Sequence, residues 1–222
     1  MRHLESQTST ARAHRVEYSR GSVAPPVRVL VLAVLAVSTT ILTGGLADAQ
    51  PASGRNEVLP GIVNYTRIDK NLAVGGVLSL QALPDLKRRG FKAVINLRKA
   101  SEPDANVEGE GVAVRGAGLK YVNLPFSATD PYEVAAAQVE PFMKALADPS
   151  NLPVLVHSRQ AHRPVGLLLI KRVLQDGWTV EKGFAAADAR GLADGTEGAA
   201  GVQQFVRSYI KAHSSVRPSV NR

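Results

Sequence analysis

A short polar segment between two apolar runs holds the residues with the clearest chemical potential. Residues 153–174 read PVLVHSRQAHRPVGLLLIKRVL, so one apolar run ends at His157 and the next begins at Val165. A strand that turns directly into a helix aims backbone N–H groups and the positive helix end at one point, which is typical of anion sites. Arg163 can add two parallel hydrogen bonds to a phosphate or sulfate. The segment predicts an oxyanion site; a plain strand–turn–helix corner with solvated arginines is the alternative.

The composition excludes several kinds of chemistry. The chain has 222 residues and no cysteine, which excludes a disulfide scaffold, cysteine-ligated zinc, iron–sulfur clusters and any thiol nucleophile. The formal net charge is +8, which favours a mild preference for anions. The basic residues are scattered along the chain, so the sequence shows no basic tract typical of nucleic-acid binding. His157 and His162 have no acidic or histidine partner at a credible ligand spacing, so we expect no metal and no cofactor.

Strand-like and helix-like patterns alternate around this loop. We expect strands at residues 72–77, 91–97, 119–125 and 153–157. We expect helices after Ser79, within 132–146, and at 165–175, 179–190 and 202–213, with Pro141 marking a kink or a second helix start. Apolar runs without alternation are typical of strands buried on both faces of a parallel sheet. The sequence therefore predicts an α/β three-layer sandwich with a mostly parallel central sheet of about four strands, and Ser158 at the C-terminal end of a central strand.

The N-terminal residues have the parts of an export signal. An apolar run at residues 29–42 follows two arginines and precedes the small-residue site Ala47-Asp48-Ala49. This predicts a signal peptide in residues 1–49, cleaved after Ala49, and a periplasmic or secreted protein. An uncleaved N-terminal anchor is the alternative, although a bilayer takes about 20 apolar residues. We expect a linker at residues 50–64, the folded domain at 65–213 and a flexible tail at 214–222.

The loop and its flanks resemble a known enzyme family. The sequence VHSRQAHR is similar to the phosphate-binding loop of cysteine-dependent protein-tyrosine and dual-specificity phosphatases, above all the bacterial branch that reads H-C-x-x-G-x-R. The segments NYTRIDKNLAVGGVLSLQALPDLKRRGFKAVINLR and LKYVNLPF, and the GW-x-x-E stretch Gly177–Glu181, resemble that branch in order and spacing. The resemblance covers about residues 62–213 and implies a phosphatase-like fold.

The resemblance implies a role for each matching residue. Ser158 stands at the nucleophile position, Arg163 at the phosphate-clamping arginine and Asp130 at the general acid. The implied anion-binding residues are Arg159, Gln160, Ala161, His162 and Arg163. His157 matches the supporting histidine that helps to stabilise a thiolate, and Arg98 matches a structural or substrate-facing position.

Simpler interpretations exist for three of these residues. Asp130 precedes Pro131 and is typical of a helix cap. His157, at the end of a buried strand, is typical of a hydrogen-bonded core histidine, and His162 of a solvated loop histidine.

Three departures from the family pattern affect the expected activity. Ser158 replaces the cysteine, and a hydroxyl needs a general base because a helix N-terminus alone does not ionise it. Ala161 replaces a glycine, which would strain the loop if that position needs positive φ. Pro164 follows Arg163; it fits the start of the helix, but a register with one more intervening residue would place it at the arginine position.

These departures predict an exported pseudophosphatase that binds phosphate or another oxyanion. Its expected partner is a phosphorylated or otherwise oxyanion-bearing ligand or protein, with no nucleic acid and with membrane contact only through an uncleaved N-terminal segment. An active phosphoester hydrolase of the same fold, and an interaction domain that binds no anion, are the alternatives.

Overall fold

A five-stranded sheet organises residues 58–214, the part of the chain that the computed structural model describes. The strands are β1 (Thr66–Asp69), β2 (Leu72–Gly75), β3 (Ala93–Asn96), β4 (Lys120–Asn123) and β5 (Val154–His157). Their order is β1-β2-β5-β3-β4; β2, β5, β3 and β4 are parallel, and β1 pairs antiparallel with β2. The expected mostly parallel sheet is confirmed, with β5 at its centre. The antiparallel edge strand β1 was not predicted.

Residues 58–214 contain seven α-helices, numbered in chain order. They are α1 (Leu83–Arg88), α2 (Val107–Gly116), α3 (Tyr132–Ala136), α4 (Val139–Ala147), α5 (His162–Leu174), α6 (Val180–Ala187) and α7 (Glu197–Ser214). Short 3-10 turns precede α1 at Leu80–Ala82 and β5 at Pro149–Asn151, and a π turn at Asp188–Leu192 continues α6. None of the helices within residues 58–214 combines the length and the apolar character needed to cross a bilayer.

The alternation of side chains along the strands divides the core between the two faces of the sheet. Val154 and Val156 pack on one face in the larger apolar cluster, which takes in residues of α4, α5, α6 and α7. Leu155 points to the opposite face, where it joins the smaller cluster with residues of α1 and α2. The three-layer arrangement predicted from the sequence is therefore confirmed.

The two helices that flank the loop region pack closely because of one glycine. A Cβ placed on Gly166 of α5 would overlap the side chain of Val202 of α7 and lie 3.3 Å from Val206 Cγ2. Gly166 thus lets the two backbones approach where both valines are buried. This contact fixes α5, and with it the loop at the N-terminus of α5.

Several element boundaries differ from expectation. Helix α4 begins at Val139, so Pro141 lies in its first turn and marks the second helix start. Helices α5 and α7 begin at His162 and Glu197, earlier than residues 165 and 202, because polar first turns lack apolar periodicity.

The domain also begins earlier than the predicted boundary at residue 65. Leu59 and Ile62, inside the predicted linker of residues 50–64, are buried in the smaller cluster. The predicted signal peptide or anchor of residues 1–49 lies outside the described residues, as does the predicted tail of residues 214–222 beyond Ser214.

We expect Gly166→Ala to lower the free energy of unfolding by about 1–3 kcal/mol, the usual cost of overpacking a close contact. The matched control is Gly116→Ala, because a Cβ on Gly116 has nothing within 4 Å. That variant should be neutral or up to about 1 kcal/mol stabilising, since alanine favours a helix over glycine. Urea unfolding measures both, and equal effects of the two variants would contradict the packing argument.

Candidate functional site

The polar loop lies at the C-terminal edge of the sheet, between the ends of three parallel strands. Ser158 N donates to Gly75 O at 3.3 Å, and Val77 N donates to Arg159 O at 3.2 Å, which attaches the loop to the end of β2. Leu97 N donates to His157 O at 2.9 Å and attaches it to the end of β3. Because β5 is the central strand, the loop that follows it lies between the end of β2 and the end of β3.

The loop backbone has donors that the fold does not use. The N–H groups of residues 159–163 make no hydrogen bond to any acceptor within residues 58–214. The turn leads directly into α5, which is 13 residues long, so the positive end of its dipole lies at the same place. Unused N–H groups at a helix N-terminus are the elements of an anion site.

Arg163 joins the loop to the ends of β3 and β4. Its Nη1 lies 2.6 Å from Glu102 Oε1, 3.0 Å from Leu97 O and 2.9 Å from Phe126 O, and its Nη2 lies 2.7 Å from Glu102 Oε2. Nε and the second Nη2 hydrogen donate to no acceptor within the described residues. One side of the guanidinium is therefore fixed by the protein, and the other side keeps two donors for a ligand.

Glu102 is held as a carboxylate by its surroundings. Burial alone would raise the pKa of Glu102, but the hydrogen bonds from Arg163 and from Lys99 N, with the charges of Arg163 and Arg98, hold it below its ordinary value. A charged Glu102 keeps the Arg163 guanidinium in one orientation.

Arg98 has a structural role. It is 6% exposed, and its guanidinium binds Pro103 O at 2.5 Å, Asp104 O at 3.3 Å and Glu102 Oε2 at 3.5 Å. Asp104 has a left-handed φ of 60°, a conformation that is uncommon outside glycine. Arg98 thus shapes the β3–α2 connection that presents Glu102 to Arg163, so of its two implied roles the structural one fits this geometry.

Ser158 has no base beside it. The residue is fully buried, and its hydroxyl donates to Gln160 O within the loop. His157 turns away: its Nε2 lies 2.8 Å from Glu110 Oε1, and its Nδ1 has no hydrogen-bond partner among residues 58–214. Serine cannot act as a nucleophile in this arrangement without a change of rotamer or ring orientation.

The His157–Glu110 pair belongs to a polar network under the loop. Asn96 Nδ2 lies 3.0 Å from both Glu110 Oε1 and the Tyr121 hydroxyl, which itself donates to Val107 O at 3.0 Å. Burial first, and then the negative charge of Glu110, raises the pKa of Tyr121 to about 12. His157 is therefore a hydrogen-bonded core histidine.

The two other departures from the family pattern cause no visible strain. Ala161 has φ −68° and a right-handed helical conformation, so this position does not need glycine. Pro164 is the third residue of α5, inside the first turn, where a missing N–H costs no helical hydrogen bond. Arg163, one residue earlier, is the side chain that reaches the sheet edge.

A pocket of about 230 Å³ opens at the loop and at the start of α7. It is lined by Arg159, Gln160, His162, Arg163, Thr196 and Gly198. His162 is only 7% exposed, and its Nε2 lies 2.6 Å from Asp194 Oδ2, so the interpretation of His162 as a solvated loop histidine is wrong. Of the predicted anion-binding residues, only Ala161 is missing from the lining.

Asp130 lies outside this pocket. Its Oδ1 accepts from Lys99 Nζ at 2.7 Å, and Lys99 N donates to Glu102 Oε1 at 2.8 Å. The N-cap of α3 is Pro131, so the interpretation of Asp130 as a helix cap is wrong as well. Lys99 connects Asp130 to Glu102, the partner of Arg163, and the Asp130 side chain forms no hydrogen bond with Ser158.

Four site residues were missed from the sequence: Glu102, Glu110, Asn96 and Asp194. Each reaches its partner across a long stretch of chain, so local patterns gave little indication of them. A partial indication existed for Glu102, which follows the predicted strand at residues 91–97 on the sheet edge that holds the loop.

Within residues 58–214, no cluster of three or more histidine and acidic side chains could hold a metal ion.

We expect Glu102→Gln to lower the free energy of unfolding by about 1–3 kcal/mol at neutral pH, since it removes charge-assisted hydrogen bonds from Arg163. A carboxylate whose pKa is lowered by folding stabilises the protein above its unfolded pKa, and that stabilisation is lost as the pH falls through the folded value. The wild-type chain should therefore lose stability more steeply than Glu102→Gln below about pH 4.5.

Thermal melting from pH 7 to pH 3 measures this difference. Glu140→Gln is the control, because Glu140 forms an exposed pair with Lys144 at 2.8 Å, a type of pair that stabilises little. A melting profile of Glu102→Gln that parallels the wild type would contradict the role of Glu102.

Comparison with known proteins agrees with this architecture. One family matches residues 63–206 and is described as DSP-PTPase phosphatase fused to NAD+ kinase. A beta-lactamase hydrolase-like protein of Xylella fastidiosa is 29% identical over 128 residues; these are 56% of this chain but 28% of that protein, so the chain spans little more than a quarter of its length.

Solved structures share the fold. A DUF442 phosphatase of Shewanella putrefaciens has a TM-score of 0.56 and 24% identity, covering 72% of this chain and 98% of the other. P. aeruginosa TpbA with a cysteine-to-serine substitution, in complex with phosphotyrosine, has a TM-score of 0.51 and 16% identity, covering 72% and 98%. The phosphatase-like fold expected from the sequence is confirmed. The family match at residues 63–206 covers more than half of the chain, so the chain belongs to the family of DSP-PTPase phosphatase domains described as fused to NAD+ kinase.

Proposed function

We propose that this chain is an exported phosphatase-like domain that binds phosphate or another oxyanion in loop 158–163 and does not hydrolyse phosphate esters. The observation that supports it most is the environment of Ser158: its hydroxyl is bonded to Gln160 O, and no base is bonded to it. The partner would be a phosphorylated or otherwise oxyanion-bearing ligand or protein.

Binding needs no thiol. Unused N–H groups at residues 159–163, the positive end of α5 and two free donors of Arg163 all favour an anion. The TpbA structure with serine in place of a cysteine holds phosphotyrosine, which supports binding without the sulfur in that protein.

Hydrolysis needs groups that are engaged elsewhere. A serine hydroxyl becomes a nucleophile only when a base takes its proton. His157 is bonded to Glu110, and Asp130 is bonded to Lys99. Binding and chemistry should therefore separate in this protein.

An active hydrolase is the second candidate, because His157, which precedes Ser158 in the chain, is paired with Glu110 through Nε2 and has no hydrogen-bond partner for Nδ1 among residues 58–214. The free Nδ1 of His157 could accept the serine proton if the Ser158 hydroxyl left Gln160 O. Turnover lost in both Ser158→Ala and Glu110→Gln would support this candidate.

We expect inorganic phosphate and tungstate to raise the melting temperature of the full chain, since a ligand of the native state stabilises it. Arg163→Ala should weaken phosphate binding roughly ten- to hundredfold, because charge-assisted hydrogen bonds are lost. Arg163→Lys keeps the positive charge beside Glu102 but removes the paired donors of the guanidinium, so it separates the effect on anion binding from the effect on folding. This variant should fold and still bind phosphate weakly.

The same samples should release no p-nitrophenol from para-nitrophenyl phosphate above background. Ser158→Cys should leave phosphate affinity nearly unchanged. Robust turnover by the unmodified chain that Ser158→Ala abolishes would overturn the pseudophosphatase proposal, and phosphate affinity indifferent to Arg163→Ala would overturn the assignment of the clamp.

Export is a separate part of the proposal. The apolar run at residues 29–42 and the site Ala47-Asp48-Ala49 support a cleaved signal and a periplasmic or secreted location. We expect mass spectrometry of the protein from its native cells to find an N-terminus within a few residues of Gln50. Recovery of intact residues 1–49 in a soluble cytoplasmic fraction would contradict export.

A further inference from the structure

A second pocket lies at the opposite edge of the sheet from the oxyanion loop. Its volume is about 310 Å³, at the lower end of the range of about 300–1,000 Å³ that is typical of ligand pockets. Leu72, the first residue of β2, lines this pocket and pairs in the sheet with Val154, the first residue of β5. The oxyanion loop follows the last residue of β5 and contributes no residue to this pocket.

The apolar wall of this pocket consists of leucines alone. They come from β2, α4, the segment before β5 and α5, and they are Leu72, Leu146, Leu152 and Leu168. Leu152 is half-buried and the other three are buried. Leucine offers apolar surface without the flat face on which an aromatic ring stacks, so this wall favours an aliphatic group. We call the cavity lined by these four residues the leucine pocket.

The rim of the leucine pocket carries one positive charge that the fold does not neutralise. Arg172 Nη2 lies 3.6 Å from Asp69 Oδ2. Lys171 Nζ and Arg172 Nη1 lie 2.7 and 3.0 Å from the two carboxylate oxygens of Asp176. Lys70 also lines the pocket, and its ammonium has no hydrogen bond or ion pair within residues 58–214. Three cationic side chains thus face two carboxylates, and the unpaired one is Lys70.

The β1–β2 turn holds Lys70 and its neighbour Asn71 at this rim. Asn71 N donates to Asp69 Oδ1 at 2.8 Å, and Arg67 Nη2 donates to Lys70 O at 2.8 Å. Val154 N donates to Asn71 O at 2.8 Å, which ties the turn to β5. The Asn71 carboxamide also lines the pocket and forms no hydrogen bond in the described part of the chain. The Lys70 ammonium and the Asn71 carboxamide are therefore two adjacent donors that the fold does not use.

We propose that the leucine pocket binds a monoanionic aliphatic amphiphile, namely a straight-chain carboxylate. Its alkyl chain packs on the four leucines, and its carboxylate accepts hydrogen bonds from Lys70 and Asn71. One unpaired positive charge matches one negative charge, whereas a doubly charged head group would bring a second negative charge close to Asp69. This site shares no residue with the proposed oxyanion site, so either can exist without the other.

Calorimetric titration of the full chain tests the ligand class with acetate, hexanoate, octanoate, octanol and octylamine, each below the concentration at which it forms micelles. We expect octanoate to bind about five- to fifteenfold more tightly than hexanoate, as burial of two further methylene groups would give. Octanol and octylamine should bind about three- to tenfold more weakly than octanoate, because they lack the carboxylate. Acetate should give no measurable heat.

Nuclear magnetic resonance of the labelled full chain locates the bound octanoate. The backbone amide signals of residues 69–72 and 171–172 should shift as octanoate is added. Those of residues 159–163, in the oxyanion loop, should stay in place, and excess inorganic phosphate should not displace octanoate.

Two variants test the head-group and chain contacts separately. Lys70→Gln should lower octanoate affinity about three- to tenfold and leave octanol affinity unchanged, since only the charge is removed. Lys92→Gln is its matched control, because Lys92 is an exposed lysine outside the pocket lining.

Leu152→Gln places a polar group on the half-buried part of the wall and should weaken octanoate and octanol alike. Leu80→Gln is its control, because Leu80 is 44% exposed and lies outside the lining. Neither control should change the octanoate affinity.

Each contrary outcome overturns a stated part of this inference. Absence of octanoate binding, or amide shifts confined to residues 159–163 and reversed by phosphate, would overturn the leucine pocket as a carboxylate site. Equal affinities for octanoate, octanol and octylamine, or a Lys70→Gln variant that binds octanoate as the wild type does, would overturn the assignment of the head group. None of these results bears on whether the oxyanion loop binds phosphate.

Discussion

The pairing of Arg163 with Glu102 is the interaction on which the site geometry depends. The two side chains meet through two hydrogen bonds of 2.6 and 2.7 Å, and Arg163 also binds carbonyl groups after β3 and β4. Arg98 and Lys99 in turn hold Glu102 in the β3–α2 connection. One guanidinium thereby fixes the loop to the ends of β3 and β4 and to the β3–α2 connection. Its remaining donors, Nε and one hydrogen of Nη2, stay free for a ligand.

The polar groups that a phosphatase could use for catalysis are hydrogen-bonded to other parts of the protein. His157 is bonded to Glu110 in a buried network, Asp130 is bonded to Lys99, and Ser158 is bonded to its own loop. His157 and Ser158 are buried, so their hydrogen bonds satisfy groups that would otherwise be costly. The proposed oxyanion binding does not need these groups, because attraction of an anion depends on N–H groups and Arg163 rather than on an ionised nucleophile.

The sequence predicted the parts of the fold that rest on local patterns. The apolar run at residues 153–157 predicted β5, and the polar loop after it predicted where Arg163 would lie. The short strand Thr66–Asp69 has no apolar periodicity and was missed, since its side chains are half-buried or exposed. Glu102, Glu110 and Asp194 were missed because their partners lie 61, 47 and 32 residues away along the chain. Such pairs form only when the sheet brings distant segments together.

Phosphorus NMR of the full chain with phenyl phosphate distinguishes binding from hydrolysis, because one spectrum reports both. If the loop binds the ester without hydrolysing it, the ester signal shifts and broadens as protein is added, while the signal of inorganic phosphate does not grow over hours. Growth of inorganic phosphate in proportion to protein, or an ester signal that protein leaves unchanged, would contradict binding without hydrolysis.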